Sequence, residues 1–274
     1  MKIFNTRSGI VVEQTDTITA LADVAWDELF MEGDLQEFLL RKSADGMPVS
    51  LPGDCEILPV VDSQEIWAAG VTYRRSRTAR MEESQKAGGG NFYDMVYEAE
   101  RPELFFKGSK RNVVGHRQNV HIRVDSTWNV PEPELTIAVS NSGSIIGFTI
   151  GNDMSSRDIE GENPLYLPQA KVYDRSCALG PCLLVGSNVD EQTEIDLSIE
   201  RSGEEIFSGN TSVSAIKRKL SDLVEYLFRE NTFSHGCYLM TGTGVVPPDS
   251  FTLAAGDRIT IAITGIGVLI NNVD

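Results

Sequence analysis

Two glutamates in one short segment could together bind a metal ion. Glu132 and Glu134 lie in the segment 128–135, WNVPEPEL, and each follows or precedes a proline. Residues two apart point to the same face of a strand, and prolines favour a strand start or edge. Neighbouring carboxylates repel each other unless a hard divalent cation such as Mg²⁺ lies between them. A solvated glutamate pair without a metal is the alternative, since exposed carboxylates are common.

A third carboxylate and a lysine follow along the chain. Asp153 comes after the strand-like segment 144–150, and Lys171 ends the tripeptide at 169–171. Three carboxylates and one divalent cation leave one negative charge, which one lysine would balance. This arithmetic favours Lys171 as a charge partner or proton shuttle. On the residues alone, two alternatives stay open: Asp153 could be a turn residue, and Lys171 could be a surface charge.

The overall charge limits the partners that the chain can have. Its 274 residues include 24 Lys and Arg against 40 Asp and Glu, a formal net charge of −16. Such a surface repels phosphate backbones, so the composition argues against a nucleic-acid partner. An anionic small molecule would need a local cation or a metal ion to hold it.

Segments for export or membrane insertion are not expected. The chain has no apolar run of about 18 residues and no signal-peptide pattern at its N-terminus, so we expect a cytoplasmic protein without a membrane partner. The four cysteines form no CxxC pair, which favours free buried thiols over a zinc site.

The pattern of short strands predicts an α+β fold that is mainly β. The predicted strands of the main region are 66–73, 104–107, 120–124, 135–139, 144–150, 195–199, 205–208 and 258–263. An apolar stripe predicts one helix over 212–229. We therefore expect residues 63–274 to form the main domain.

Residues 1–62 predict a small N-terminal α/β region. Strands are expected at 2–6 and 9–13, and helices near 20–31 and 34–42. Pro48, Pro52 and Gly53 then separate this region from the main domain.

In four blocks the chain resembles the fumarylacetoacetate hydrolase superfamily of divalent-metal enzymes. The blocks are PEPEL at 131–135, GFTIGNDMSSRD at 147–158, QAK at 169–171 and TGTG at 241–244. The resemblance implies that residues 63–274 form a fumarylacetoacetase-like catalytic domain, a mixed β-roll, assembled as a homodimer or homotetramer. It implies metal binding by Glu132, Glu134 and Asp153, with Mg²⁺ as the ion. Carboxylate oxygens also accept Mn²⁺ or Ca²⁺, which are the possible substitutes. Lys171 would be the active-site lysine, and Thr243 would line the substrate pocket.

One motif departs from the hydrolases and decarboxylases of this superfamily. These enzymes usually carry Tyr-x-x-His-x-x-Glu, in which the His–Glu pair activates water. Here the motif begins at Tyr73, but Ser76 and Ala79 stand at the other two positions. Neither can act as a base near pH 7, which counts against hydrolysis by the usual route.

Three further blocks resemble the dehydratase branch that acts on 2-keto-3-deoxy-D-arabinonate. They are VTY at 71–73, RPELFFK at 101–107 and ENPLYLPQ at 162–169. The resemblance implies a Mg²⁺-dependent hydro-lyase that converts a 2-keto-3-deoxy sugar acid to 2,5-dioxopentanoate through a metal-stabilised enolate, without an organic cofactor. A metal-dependent hydrolase or decarboxylase of a diketo or oxo acid is the alternative. A catalytically silent sugar-acid-binding protein is a third reading.

Glu103 is the candidate base because it precedes an apolar strand, where a carboxyl group acquires a raised pKa. A surface glutamate is the alternative, and Lys171 could itself be the base or protonate the leaving hydroxyl. The residues expected to contact the substrate are Tyr73, Arg77, Tyr166, Leu167 and Thr243. For Arg77, a place on a solvated helix face is the alternative.

Overall fold

The computed structural model describes residues 1–15, 17–53, 57–74, 92–186 and 189–274. Strands dominate this part of the chain and are numbered in chain order. They are β1 Lys2–Thr6, β2 Gly9–Glu13, β3 Ile18–Leu21, β4 Met47–Pro48, β5 Glu65–Gly70, β6 Glu103–Gly108, β7 Val113–Val114, β8 Asn119–Val120, β9 Asn129–Val130, β10 Pro133–Val139, β11 Ile145–Asp153, β12 Ser155–Ser156, β13 Cys177–Leu184, β14 Glu194–Arg201, β15 Glu204–Ser212, β16 Cys237–Met240, β17 Arg258–Ile263 and β18 Gly267–Val273.

Helices are short by comparison. The α-helices are α1 Leu35–Ala44, α2 Phe92–Glu98, α3 Arg157–Glu162, α4 Leu167–Lys171 and α5 Leu220–Phe228. The 3₁₀ turns are Trp26–Phe30, Lys110–Asn112, Pro164–Tyr166 and Val213–Ala215. Within the described ranges, no helix has both the length and the apolar character needed to cross a bilayer. The architecture is the mainly β, α+β class that the sequence predicts.

Eleven strands form one mixed sheet with β10 and β11 near its centre. The order is β4-β3-β2-β1-β13-β11-β10-β16-β5-β6, and β7 pairs with β13. All of β10 is buried. It runs antiparallel to β11, with Pro133 opposite Asn152 and Glu134 opposite Gly151. The start of β10 therefore lies beside the end of β11.

A second sheet, ordered β15-β14-β17-β18-β8, packs on one face of the large sheet. Their shared core includes Leu135 and Ile150 from the large sheet and Leu197, Ile261 and Leu269 from the smaller one, none more than 1% exposed. Buried and less buried residues alternate along β14 and β17, the two-residue period of a strand. Helix α1 packs on the opposite face of the large sheet.

The N-terminal strands belong to the same large sheet as the predicted catalytic domain. β1 pairs with β13, where Ile3 lies opposite Leu183. The strands predicted at 2–6 and 9–13 are confirmed, and α1 confirms the second helix. The helix predicted near 20–31 is wrong, because β3 ends at Leu21 and Asp23 adopts a left-handed φ of 52° before a 3₁₀ turn. The boundary after residue 62 remains a prediction.

The helix predicted over 212–229 is shorter than its apolar stripe suggests. β15 runs to Ser212, and α5 occupies only Leu220–Phe228. Ile216, in the predicted first half, instead forms a β-bridge with Tyr73. The sequence also failed to predict β13, whose central Gly180-Pro181 pair weakens the usual strand signal.

Three cysteines confirm the prediction of free thiols. Cys177, Cys182 and Cys237 are buried and unpaired in disulfides. Burial raises the pKa of the Cys177 and Cys182 thiols to about 12, so both stay protonated near neutral pH. Cys55 lies outside the described residues.

Candidate active site

Three carboxylates meet where β10 begins and β11 ends. Glu132 precedes β10, Glu134 lies within it, and Asp153 ends β11. The backbone N–H of Asp153 donates to the Glu132 carbonyl at 3.0 Å. All three residues are at most 3% exposed, and one carboxylate oxygen of each lies within 4.8 Å of the others. The structure thus brings the three predicted ligands together in an arrangement that could hold a metal ion.

Three buried cations surround these carboxylates. Lys171 Nζ donates to Glu132 Oε2 at 2.7 Å and to Asp153 Oδ2 at 2.9 Å. Arg157 Nη2 donates to Glu132 Oε1 at 2.6 Å, and Lys107 Nζ lies 2.6 Å from Asp153 Oδ1. None of the cations is more than 1% exposed. Three carboxylates and three cations give the cluster no formal net charge. This balance matters because unpaired buried charges are strongly destabilising.

A backbone group holds Glu134. The N–H of Gly242 donates to Glu134 Oε2 at 2.6 Å. Gly242 has a φ of 89°, and a Cβ there would lie 2.0 Å from Thr72 Oγ1, so glycine is required. Burial, followed by the charges of Asp153 and Glu132, raises the pKa of Glu134 well above its ordinary value. A cation among the carboxylates would remove this repulsion.

A small cavity opens onto the carboxylates. Ala69, Val71 and Phe105 give it an apolar wall, and Thr243 lies in its lining. The Thr243 hydroxyl donates to the Val245 carbonyl and accepts from the Val245 N–H, both at 3.2 Å. An apolar wall with a few convergent charged groups is typical of a small-molecule site.

Strand β6 presents alternate residues to the site. Glu103, Phe105 and Lys107 are spaced two apart and share one face of the strand. The Phe105 ring lies 5.8 Å from Lys171 Nζ. The half-buried Glu103 packs its carboxylate against Gly70, which lines the cavity. The candidate base is therefore next to the cavity wall.

The predicted substrate contacts are less closely grouped. Tyr73 is 1% exposed, and burial together with the nearby charge of Glu134 raises its pKa. Tyr166, 38% exposed, ends a 3₁₀ turn, and Leu167 begins α4. Neither is among the described residues that line the cavity. Arg77 lies outside the described residues.

Sequence reasoning missed Lys107 and Arg157 as parts of the site. Lys107 shares a strand face with the candidate base Glu103, and Arg157 begins α3 four residues after Asp153. Both residues belong to the blocks that resemble the family: Lys107 ends the block at 101–107, and Arg157 lies in the block at 147–158. Charged residues near the ends of strands and helices are usually solvated, so only the structure reveals their burial.

Comparisons with known proteins agree with this geometry. The family model described as fumarylacetoacetate (FAA) hydrolase C-terminal matches residues 65–274. The probable 2-keto-3-deoxyxylonate dehydratase of Haloferax volcanii is 43% identical over 277 residues, 93% of this chain and 94% of that protein. The 2-dehydro-3-deoxy-D-arabinonate dehydratase of Saccharolobus solfataricus is 38% identical over 223 residues, 80% of this chain and 75% of that protein.

Solved structures share the fold over the whole chain. A 2-keto-3-deoxy-D-arabinonate dehydratase complexed with magnesium and 2,5-dioxopentanoate matches with a TM-score of 0.84 and 32% identity. The match covers 100% of this chain and 99% of that chain. The expected fumarylacetoacetase-like mixed β-roll is confirmed.

Replacing the buried Lys107 tests the neutral charge cluster. Lys107→Met leaves Asp153 with one cation fewer, and breaking a buried ion pair costs about 3–5 kcal/mol. We expect the melting temperature without metal to fall by roughly 10 °C. Added Mg²⁺ should raise it more than in the wild type, because the ion restores positive charge. Differential scanning calorimetry measures both effects.

The matched control is Lys110→Met. It removes an ion pair with Asp62 whose side chains are 64% and 43% exposed. Such a surface pair contributes less than about 1 kcal/mol. Equal Mg²⁺ responses in the wild type and Lys107→Met would contradict the charge-cluster interpretation.

Proposed function

The chain belongs to the fumarylacetoacetate (FAA) hydrolase family, and we propose that it is a divalent-metal-dependent hydro-lyase of a 2-keto-3-deoxy sugar acid. One observation carries the proposal: two relatives named as dehydratases of such acids are 43% and 38% identical to this chain, the first over 93% of its length. The proposed reaction removes water from 2-keto-3-deoxy-D-arabinonate and gives 2,5-dioxopentanoate.

The two relatives' substrate names are chemically compatible. Oxidation at C2 and loss of the C3 hydroxyl remove the stereocentres that distinguish arabinonate from xylonate. Within the D series, both names then describe one compound, whose remaining stereocentre is C4. A single five-carbon 2-keto acid is therefore the substrate proposed for this chain.

Glu132, Glu134 and Asp153 are the residues that would hold the metal ion. Carboxylate oxygens are hard donors that Mg²⁺ prefers and that Mn²⁺ or Ca²⁺ also accept. Within the described part of the chain, no group donates a hydrogen bond to Glu134 Oε1, and Glu134 lines the cavity, which leaves this oxygen available as a ligand. When bound, the ion supplies Lewis-acid polarisation of the ketone.

Local charge would allow this acidic protein to bind an acid. Lys107, Arg157 and Lys171 balance the three carboxylates, so a bound divalent cation makes the site positive. The substrate carboxylate would be attracted at short range. Repulsion from the net charge of −16 acts mainly from the surface and is screened over about 10 Å in 0.1 M salt.

Glu103 and Lys171 are the groups proposed to move protons. The Glu103 carboxylate would accept a proton from C3, and the Lys171 ammonium would protonate the departing C4 hydroxyl to give water. This step leaves a double bond between C3 and C4. Migration of a proton from C5 to C3, followed by ketonisation of the resulting C5 enol, gives the aldehyde of 2,5-dioxopentanoate.

The remaining assignments complete the proposal. The proposed substrate contacts are Tyr73, Arg77, Tyr166, Leu167 and Thr243. Of these, Thr243 has direct support because it lines the cavity. Assembly as a homodimer or homotetramer and a cytoplasmic location also remain predictions.

Turnover by the purified protein tests the function. With Mg²⁺ and 2-keto-3-deoxy-D-arabinonate we expect 2,5-dioxopentanoate, detected through a coupled semialdehyde dehydrogenase. EDTA should abolish turnover and excess Mg²⁺ should restore it. Glu134→Gln should weaken Mn²⁺ binding, measured by electron paramagnetic resonance, at least about tenfold because a charged ligand is lost.

The matched control is Glu204→Gln, at an exposed strand start, which should leave Mn²⁺ binding unchanged. Absence of dehydration by protein with bound metal would refute the proposed substrate. Turnover of a diketo or oxo acid in its place would favour the hydrolase or decarboxylase alternative.

Deuterium exchange at C3 separates the roles of Glu103 and Lys171. Glu103→Gln should lose both exchange and dehydration, with kcat reduced about 10²–10⁴-fold, because the base is removed at constant size. Lys171→Met should retain measurable exchange and lose dehydration, because the proton donor to the hydroxyl is missing. Proton NMR in D₂O follows both processes. Normal exchange in Glu103→Gln would show that another group is the base.

A further inference from the structure

The turn after β5 is strained where it meets the site. Val71 has a φ of 53°, a left-handed conformation that β-branched residues rarely adopt. It is 6% exposed and lines the cavity. The next residue, Thr72, donates its hydroxyl hydrogen bond to the Thr241 carbonyl at 2.6 Å. Strained backbone persists only where surrounding contacts impose it, and such strain concentrates at functional sites.

Gly70, which begins this turn, lies against the candidate base. It is opposite Glu103 in the antiparallel pair β5–β6. A Cβ on Gly70 would lie 2.0 Å from Oε2 and 2.6 Å from Cδ of Glu103. The Glu103 carboxylate therefore occupies the space that any side chain at position 70 would need. Gly70 itself is outside the left-handed region, so alanine would suit its backbone and only the steric contact would change.

We propose that Gly70 is a positioning residue for Glu103. The missing side chain lets the carboxylate lie at the cavity wall, and the strained turn at Val71 holds Gly70 in that place. This inference rests on the proposed function, in which Glu103 is the base. Position matters because a displacement of about 1 Å can cost about 10²-fold in rate.

Gly70→Ala tests this role. The Glu103 carboxylate must withdraw from 2.0 Å to at least 3.4 Å from the new Cβ, which is ordinary contact. The displaced atoms are the end of a flexible side chain, so the fold should tolerate the change. We expect kcat and the rate of C3 deuterium exchange to fall together by about 10–100-fold. The KM should change less than about threefold, since the substrate's metal and lysine contacts remain.

Gly33→Ala is the matched control, because a Cβ at Gly33 meets no atom within 4 Å. It should keep wild-type kinetics. A Gly70→Ala variant with wild-type kcat and exchange would overturn the proposal.

The Glu103→Gln background separates positioning of the base from simple filling of the cavity. Gly70→Ala should cause no further loss of kcat there, because the base is already absent. The same fold-loss in both backgrounds would show that Gly70 serves the cavity and not Glu103, which also overturns the proposal.

Crystal structures give a readout that does not depend on turnover. The Glu103 carboxylate should be displaced in Gly70→Ala and unmoved in Gly33→Ala; an unmoved carboxylate in Gly70→Ala overturns the proposal.

If the proposed function is wrong, the wild type will not dehydrate the sugar acid, yet the displacement will remain. If Gly70→Ala does not fold, the double variant Gly70→Ala/Glu103→Ala should fold, because it lacks the Glu103 atoms that the new Cβ would meet. Failure of the double variant to fold would also overturn the proposal.

Discussion

Burial of three carboxylates where β10 begins and β11 ends is the constraint on which the rest of the site depends. Uncompensated, they would repel each other and carry a large desolvation cost. Three buried cations offset much of this cost through ion pairs with Glu132 and Asp153. Lys107 comes from β6, Arg157 from the start of α3 and Lys171 from the end of α4. Each of these elements must therefore end or begin at the carboxylates, which fixes much of the arrangement around β10 and β11.

Further contacts hold the charged side chains of the site in place. Besides its ion pair, Lys107 donates to the Met154 carbonyl at 3.0 Å and to the Lys171 carbonyl at 2.5 Å. It therefore ties β11 to the end of α4. A preorganised cluster of charges does not have to reorganise when charge develops on a substrate, which is the main source of electrostatic catalysis. An open surface cluster of the same residues would lack this property.

Two glycines perform complementary steric roles. At Gly242 the missing side chain admits the Thr72 hydroxyl, and the backbone N–H is free to hold Glu134. At Gly70 the missing side chain admits the Glu103 carboxylate. Both glycines lie next to the short strained turn that follows β5. The same backbone segment therefore affects the position of Glu134, a candidate metal ligand, and of Glu103, the candidate base.

Much of this site could be predicted from sequence because the relevant signals are local. The alternation of Glu132 and Glu134, the position of Asp153 after a strand, and the family-like blocks predict the acidic cluster and Lys171. Mainly β architecture followed from short branched and aromatic segments. The tertiary structure decided what depends on long-range pairing: the burial of Lys107 and Arg157, the β-bridge at Ile216 that shortens α5, and the contact between Gly70 and Glu103. Sequence spacing describes one segment at a time, whereas burial and steric exclusion arise only when distant segments pack together.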